Sequence, residues 1–395
     1  MLSPPCTVDR LEAVDVLRGV VMALMALDHI RYFFHWGSVH FHSPLTLGTT
    51  TIPLFFTRWI THFCAPVFVF LAGTGAFLSI TRGKSKRQLS WFLVTRGLWL
   101  VFLELTFIHW AGWAFALDFH HYAALVIWVI GWSMVVLALL VHLPGWVIVA
   151  LGAVMVAGHN ALDGIKPQSF GAAGWLWQVV HARGVIEFGA GYRLSISYPL
   201  IPWVGVMALG YGFGQLLRME PARRRRWVFW TGAAVTLGFI ALRWFNAYGD
   251  PLPWTPQART GFTLLSFLRC EKYPPSLCYL MMTLGPALMV FALVDRATPR
   301  WLEPIRTFGR VPLFYYLLHL PVIHGLAVLA EKIRGGSAEW LIQFPSPLHR
   351  APPGAGYSLV TVYLIWIAVL VLLYPACRWF AELKRRRRDA WLSYL

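Results

Sequence analysis

The sequence predicts an all-α polytopic membrane protein of about ten transmembrane helices, both termini cytoplasmic, forming one integral domain over residues 1–395. Three observations carry that expectation. Of the 395 residues 58% are hydrophobic and only 13% charged, far from the balance of a water-soluble domain. Apolar stretches near the roughly 20 residues needed to cross a bilayer recur along the whole chain and leave no room for a sizeable soluble unit. Half of the 34 Lys and Arg sit in short runs between them: Arg82-Gly-Lys84-Ser-Lys86-Arg87, Arg223 to Arg226, Arg296 to Arg310 and Lys384 to Arg388. With the N-terminus inside, these runs all face the cytoplasm, as the positive-inside rule requires. The net charge of +17 is then a topology signal, and no basic soluble module exists to bind nucleic acid.

The candidate spans run over about 13–35, 54–81, 91–115, 122–142, 145–158, 199–217, 227–247, 274–294, 309–331 and 357–381. In the first, Arg18 and His29 are eleven positions apart, which is roughly 16 Å of rise and nearly a whole number of turns. Asp15, Arg18, Met22, Met25 and His29 therefore share one face, and ionisable groups inside a span mark a functional site. Asp28, with Arg31 three residues on, adds a local charge network beside His29. The second span holds Arg58 and His62 four apart, a kink signal in Thr61-His-Phe-Cys-Ala-Pro66, and small residues for close helix approach in Phe70-Leu-Ala-Gly73-Thr-Gly75. The third holds Arg96, Glu104 and His109, which need interior partners. The fifth is the shortest.

Between the later spans lie long loops at 36–53, 159–198, 248–273 and 332–356, all on the outer side. They contain Tyr248-Gly-Asp250-Pro-Leu-Pro-Trp254 and Phe344-Pro-Ser-Pro-Leu-His349-Arg-Ala-Pro-Pro, rich in turn-forming and aromatic residues, and they read as ordered loops capping an outward-opening site. The N-terminus has acidic residues and no basic n-region before a cleavage site, so the first span is retained. Neither a phosphate-binding loop nor a dinucleotide fingerprint is present, which argues against a nucleotide-driven pump.

Twelve of the 14 histidines fall on the outer side: His29, His35, His40, His42, His62, His109, His120, His121, His159, His181, His324 and His349. None shows paired ligand spacing, so no metal site is expected. Cys6, Cys64, Cys270, Cys278 and Cys377 form no CxxC pair; Cys270 and Cys278 fall near one outer membrane face and read either as a disulfide, if that side is oxidising, or as two free thiols. Imidazole near neutrality suits a general base, and His29 is the best placed, with Asp28, His35, His40 and His62 as further catalytic candidates. Arg18 near the cytoplasmic end suits bidentate phosphate binding, with Asp15, Arg31, Arg82 and Arg310 completing the candidate cofactor-binding set.

Arg10-Leu-Glu-Ala-Val-Asp15-Val-Leu-Arg18-Gly-Val-Val-Met-Ala-Leu-Met-Ala-Leu-Asp28-His29 and Phe68-Val-Phe-Leu-Ala-Gly73 resemble the heparan-α-glucosaminide N-acetyltransferase catalytic-domain family, its bacterial members above all. Tyr198-Pro-Leu-Ile-Pro202, Gly309-Arg-Val-Pro-Leu-Phe-Tyr315-Tyr-Leu-Leu-His319 and the C-terminal Trp391-Leu-Ser-Tyr-Leu extend the resemblance over most of the chain. The spacing of Arg18 and His29 is also similar to that of the transmembrane acyltransferase-3 family. The resemblance implies an acyltransferase of the bacterial inner membrane. It would take acetyl-CoA, or another acyl-CoA, from the cytoplasm and acylate a hydroxyl or amine of a glycan or lipid-linked acceptor outside, either as a monomer or as a homodimer. Arg18 would then sit near the coenzyme A phosphates and His29 would take the acceptor proton. The sequence departs from the lysosomal enzyme, which has asparagine at the position of His29, so His35, His40 and His42 remain alternatives for the base. Two other classes stay open on the residues alone: a transporter or flippase using the intramembrane charges as a relay, and a metal or haem membrane protein.

Overall fold

The computed structural model describes residues 11–40, 42–296, 299–342, 351–387 and 389–395. Cys6, Arg10, His349, Arg388 and most of the proline-rich stretch from residue 344 lie outside them. Among the described residues ten helical rods dominate. The first is α1, Glu12–Phe34; the second is broken into α2, Ile52–Thr61, and α3, Cys64–Thr81. Then come α4, Lys86–Leu103, running on as a π-helix over Glu104–Ala114; α5, Val126–Leu140; α6, Gly145–Gly158; α7, Leu200–Leu216; and α8, Pro221–Phe245. After these follow α9, Leu277–Val294; the short α10, Glu303–Arg310; α11, Pro312–Ile333; and α12, Leu359–Arg386. Among the described residues seven helices are long and apolar enough to cross a membrane. The rods α5 and α7 are apolar but shorter, and α1 carries Glu12, Asp15, Arg18, Asp28 and Arg31 along its length.

The ends of these helices follow from local chemistry. Ser85 and Gln88 form a reciprocal capping box on α4, with bonds of 3.2 and 2.9 Å. The side chains of Thr51, Ser276 and Ser358 accept backbone N–H groups at the starts of α2, α9 and α12. The break between α2 and α3 falls at His62–Phe63, four residues before Pro66, whose missing N–H cannot continue the ladder. Long apolar side chains point away from the bundle: Trp227, Trp230, Leu237 and Trp244 on α8, and Val360, Leu364, Ile367 and Val371 on α12. Such continuous apolar faces suit lipid and not water.

One helix organises the bundle. α1 packs against α2, α3, α9, α10, α11 and α12, and its Met22, Ala26, Leu27 and Ile30 are fully buried. Its backbone touches that of α10, since a Cβ on Gly309 would overlap the Asp15 carbonyl and one on Gly19 the Ile305 carbonyl. The close approach expected of Phe70–Gly75 is present as well. Gly73 lies against the Met207 carbonyl of α7, and the Thr74 hydroxyl reaches the Gly210 carbonyl at 3.0 Å. Small residues let helices come this close where no hydrophobic drive separates protein from lipid.

The expectation of an all-α chain needs correction. Strand β1, His121–Ala124, pairs in parallel with β3, Tyr192–Ile196, which pairs antiparallel with β2, Gly184–Phe188. The residues read as the start of the fourth span thus belong to a sheet, and helix begins only at Val126. Four residues do not reveal a partner about seventy positions away. The hairpin turn Gly189-Ala190-Gly191, with φ of 39°, 47° and 82°, closes this small sheet. Cys270 and Cys278 are free, buried thiols rather than a disulfide.

The loop from Gly249 to Ser276, interrupted by a short helix over Thr260–Leu268, is folded down on the bundle. Arg243, 2% exposed, donates to the carbonyls of Leu252, Ser266, Phe267 and Arg269 and lies 3.6 Å from Asp250. Asp250 in turn accepts from the Glu271 backbone N–H at 3.0 Å and from the Ser276 hydroxyl at 2.6 Å. A buried guanidinium that satisfies four carbonyls and faces a carboxylate holds irregular backbone in place. The consequence is positional, because this loop delivers Lys272 into the bundle.

Candidate active site

A cavity of about 320 Å³ follows the predicted stripe of α1. Arg18, Met22, Met25, Asp28 and His29 all line it, opposite Phe68, Leu71, Ala72 and Gly75 of α3 and Arg96 of α4. Its middle is apolar and its two ends are charged. At the Arg18 end it adjoins a second cavity of about 390 Å³, with which it shares Arg18 and Gly75, and which Asp15, Arg82, Arg310 and Lys384 complete. Four of the five residues expected to hold a phosphate-bearing cofactor therefore surround one mouth. The guanidinium of Arg18 is anchored there by the Gly309 carbonyl at 3.2 Å and by Asp15 at 3.6 Å, and that of Arg310 by Glu303 at 2.8 Å.

Arg31, the fifth, does not reach this mouth and is to be corrected. It lies thirteen residues beyond Arg18, roughly 20 Å further along and turned to another face. Its guanidinium binds Asp28 at 3.0 Å and the Ser38 hydroxyl at 2.7 Å. Asp28 also receives Arg58 of α2 at 2.5 Å. One carboxylate shared between two arginines is a structural anchor and is poorly placed to take a proton from a substrate.

At the same end His29 meets a partner from α11. Its Nδ1 lies 2.8 Å from Nε2 of His319, and the two rings stack with centroids 5.0 Å apart. The tautomers follow from the next contacts. His319 Nδ1 sits 2.8 Å from the Tyr316 carbonyl and 3.1 Å from that of Tyr315, so it must carry the proton and donate. That leaves His319 Nε2 as an acceptor, which fixes the proton of His29 on Nδ1 and its lone pair on Nε2. His29 Nε2 makes no hydrogen bond among the described residues, and the ring, seated edge-on against Trp113 at 5.4 Å, lines the cavity. The arrangement can therefore accept a proton from a group in the cavity.

Lys272 enters from the folded loop. It is 7% exposed, lines the cavity with Asp28, His29 and Tyr198, and holds its ammonium 5.1 Å from the Tyr273 ring centroid and 6.0 Å from that of Tyr198. It makes no ion pair among the described residues. A cation near two aromatic faces beside an available imidazole is a ready electrophile for developing negative charge.

The remaining candidates lie elsewhere. His35 is buried, accepts the Gly37 N–H at 3.2 Å, and shares with His40 a separate pocket lined by Trp36, Thr51 and Tyr357. His42 packs edge-on against Trp36. His62 is fully buried beside Tyr279 and does not line the central cavity. Of the third-span residues, Glu104 accepts the N–H groups of Ile127 and Trp128 and so caps α5, while His109 bonds the Asp118 carbonyl. Sequence reasoning named neither His319 nor Lys272 as a site residue. Lys272 was visible only as an ionisable group beside a span, whereas His319 also closed the motif that runs from Gly309.

A helical membrane protein with a charged cavity, a basic mouth and a tautomer-fixed histidine pair is the class that the fold and the site define. Residues 10–243, more than half of the chain, match the family model described as heparan-alpha-glucosaminide N-acetyltransferase, catalytic, and the chain belongs to that family. It is thus a membrane protein of a transmembrane acetyltransferase family, whose general donor is acetyl-CoA. Among curated proteins none matches the chain.

Proposed function

We propose that this protein transfers an acyl group, in the first instance acetyl, from cytoplasmic acyl-CoA to a hydroxyl or amine of a glycan or lipid-linked acceptor on the opposite side of a bacterial inner membrane. The observation that supports this most is the continuity of one cavity from the basic mouth at Arg18 to the His29–His319 pair. In this reading all ten rods span the bilayer, both termini are cytoplasmic, and the Arg18 mouth opens inward.

The residues suit such a donor. Arg18, Arg82, Arg96, Arg310 and Lys384 supply the cationic surround that phosphates require, and Met22, Met25, Leu71 and Ala72 wall an apolar passage for a slender arm. When bound, the thioester supplies an activated acyl carbon and a thiolate leaving group. His29 Nε2 takes the acceptor proton as the new bond forms, and the Nδ1–H bond to His319 steadies the imidazolium that results. Lys272 faces the oxygen and sulfur on which negative charge collects. The pair of arginines on Asp28 holds α1 and α2 in register around them, and the apolar middle of the cavity keeps water from the thioester.

The test uses purified protein in liposomes with acetyl-CoA on the Arg18 side and an amino sugar on the other. Free thiol should be released in step with acetylated sugar, and His29→Ala should abolish both while still binding acetyl-CoA. Solute movement across the liposome with no thiol release would replace this reading with a transporter.

A further inference from the structure

Away from the cavity, the structure brings together three residues that sequence spacing kept apart. His159 and Asp163 stand on the turn that follows α6, and His181 ends the short helix Gly174–Val180. One ligand atom from each lies within 4.8 Å of the others. His181 Nε2 is 3.6 Å from Asp163 Oδ1, close to the edge of a tetrahedron built on bonds of about 2.0 Å. His159 is 1% exposed and neither of its ring nitrogens finds a hydrogen bond; the Pro275 carbonyl approaches without reaching bonding geometry. A buried imidazole left in that state is costly unless something further occupies it.

We propose that His159, Asp163 and His181 form a zinc site that clasps the loop between α6 and α7 to the end of the bundle. Two imidazoles and one carboxylate make a donor set suited to zinc, with water completing four-coordination. The surroundings are those of a metal site. Asn160 Nδ2 donates to Asp163 Oδ2 at 2.8 Å, which leaves Oδ1 to face His181, and Trp177 stacks on the His181 ring at 5.0 Å. His181 Nε2 lies 2.9 Å from the His159 carbonyl, to which it can donate. Zinc would take that nitrogen's lone pair, with the ring proton on Nδ1 and the His159 carbonyl released from this bond. The clasp has reach: Asn160 Oδ1 also accepts the Leu277 N–H at 2.9 Å, tying the site to the start of α9 and to the loop that carries Lys272.

Protein purified in detergent through a histidine-free tag should carry about one zinc per chain by elemental analysis. Chelation should lower its melting temperature by about 5 °C or more, with recovery on adding zinc but not magnesium. His181→Ala and the milder Asp163→Asn should lose the metal, and their melting temperature should not respond to chelator. Wild-type protein that neither contains zinc nor takes up zinc or cobalt on addition would overturn the proposal, as would His181→Ala retaining a full equivalent.

Discussion

The two ends of α1 solve different problems with different materials. At the Arg18 end, several cations surround an open mouth, and Arg18 and Arg310 are each partly neutralised by a carboxylate or carbonyl. At the His29 end, single groups are held by short contacts from α2 and α11, and the loop before α9 adds Lys272 against two aromatic rings. Redundant charge suits capture of a polyanion, whereas a fixed tautomer suits proton transfer. Loss of one arginine should therefore weaken binding gradually, and loss of one histidine should stop a step.

The largest expected effect separates these ends. His29→Ala should lower kcat by about 10³-fold, within the range of a removed general base, and leave KM for acetyl-CoA within about twofold. An equal rise in KM would erase the distinction. Next, Asp28→Ala strands two buried arginines and should cost about 3–5 kcal/mol, seen as a fall in melting temperature in detergent. Unchanged stability would mean that water or lipid headgroups already satisfy Arg31 and Arg58. His319→Phe keeps a ring but removes the acceptor that fixes His29; kcat should fall by about 10–100-fold, with the pH profile displaced because the His29 tautomer is no longer held. At the other end, Arg18→Ala should raise KM for acetyl-CoA about tenfold, the worth of one charge-assisted contact, with kcat preserved and the difference shrinking at high salt.

The same contrast explains what the sequence could reveal. Within one helix a period of 3.6 residues fixes which side chains share a face, so the stripe from Asp15 to His29 was readable and the cavity follows it. Arg31 was assigned to the phosphate end by charge type alone, although thirteen steps carry it to another face and another depth. His319 and Lys272 stand 290 and 243 positions from His29, and nothing local to either reports that proximity. His319 left two usable traces, an imidazole inside a span beside Tyr315 and Tyr316 and a place at the end of the motif from Gly309; Lys272 left one, a lysine between two apolar helices. The β1–β3 pairing was hidden for the same reason, since long-range partners leave no periodic mark. Glu104 was seen to need a partner, but that the partner is the start of α5 depends on how the third span bends back.

The polarity of the path is tested most directly by a structure with a non-hydrolysable acetyl-CoA analogue bound. The phosphates should lie against Arg18, Arg82 and Arg96, with the thioester position beside His29 and Lys272. An analogue bound the other way round, with its phosphates at Lys272 and Arg58, would contradict the account.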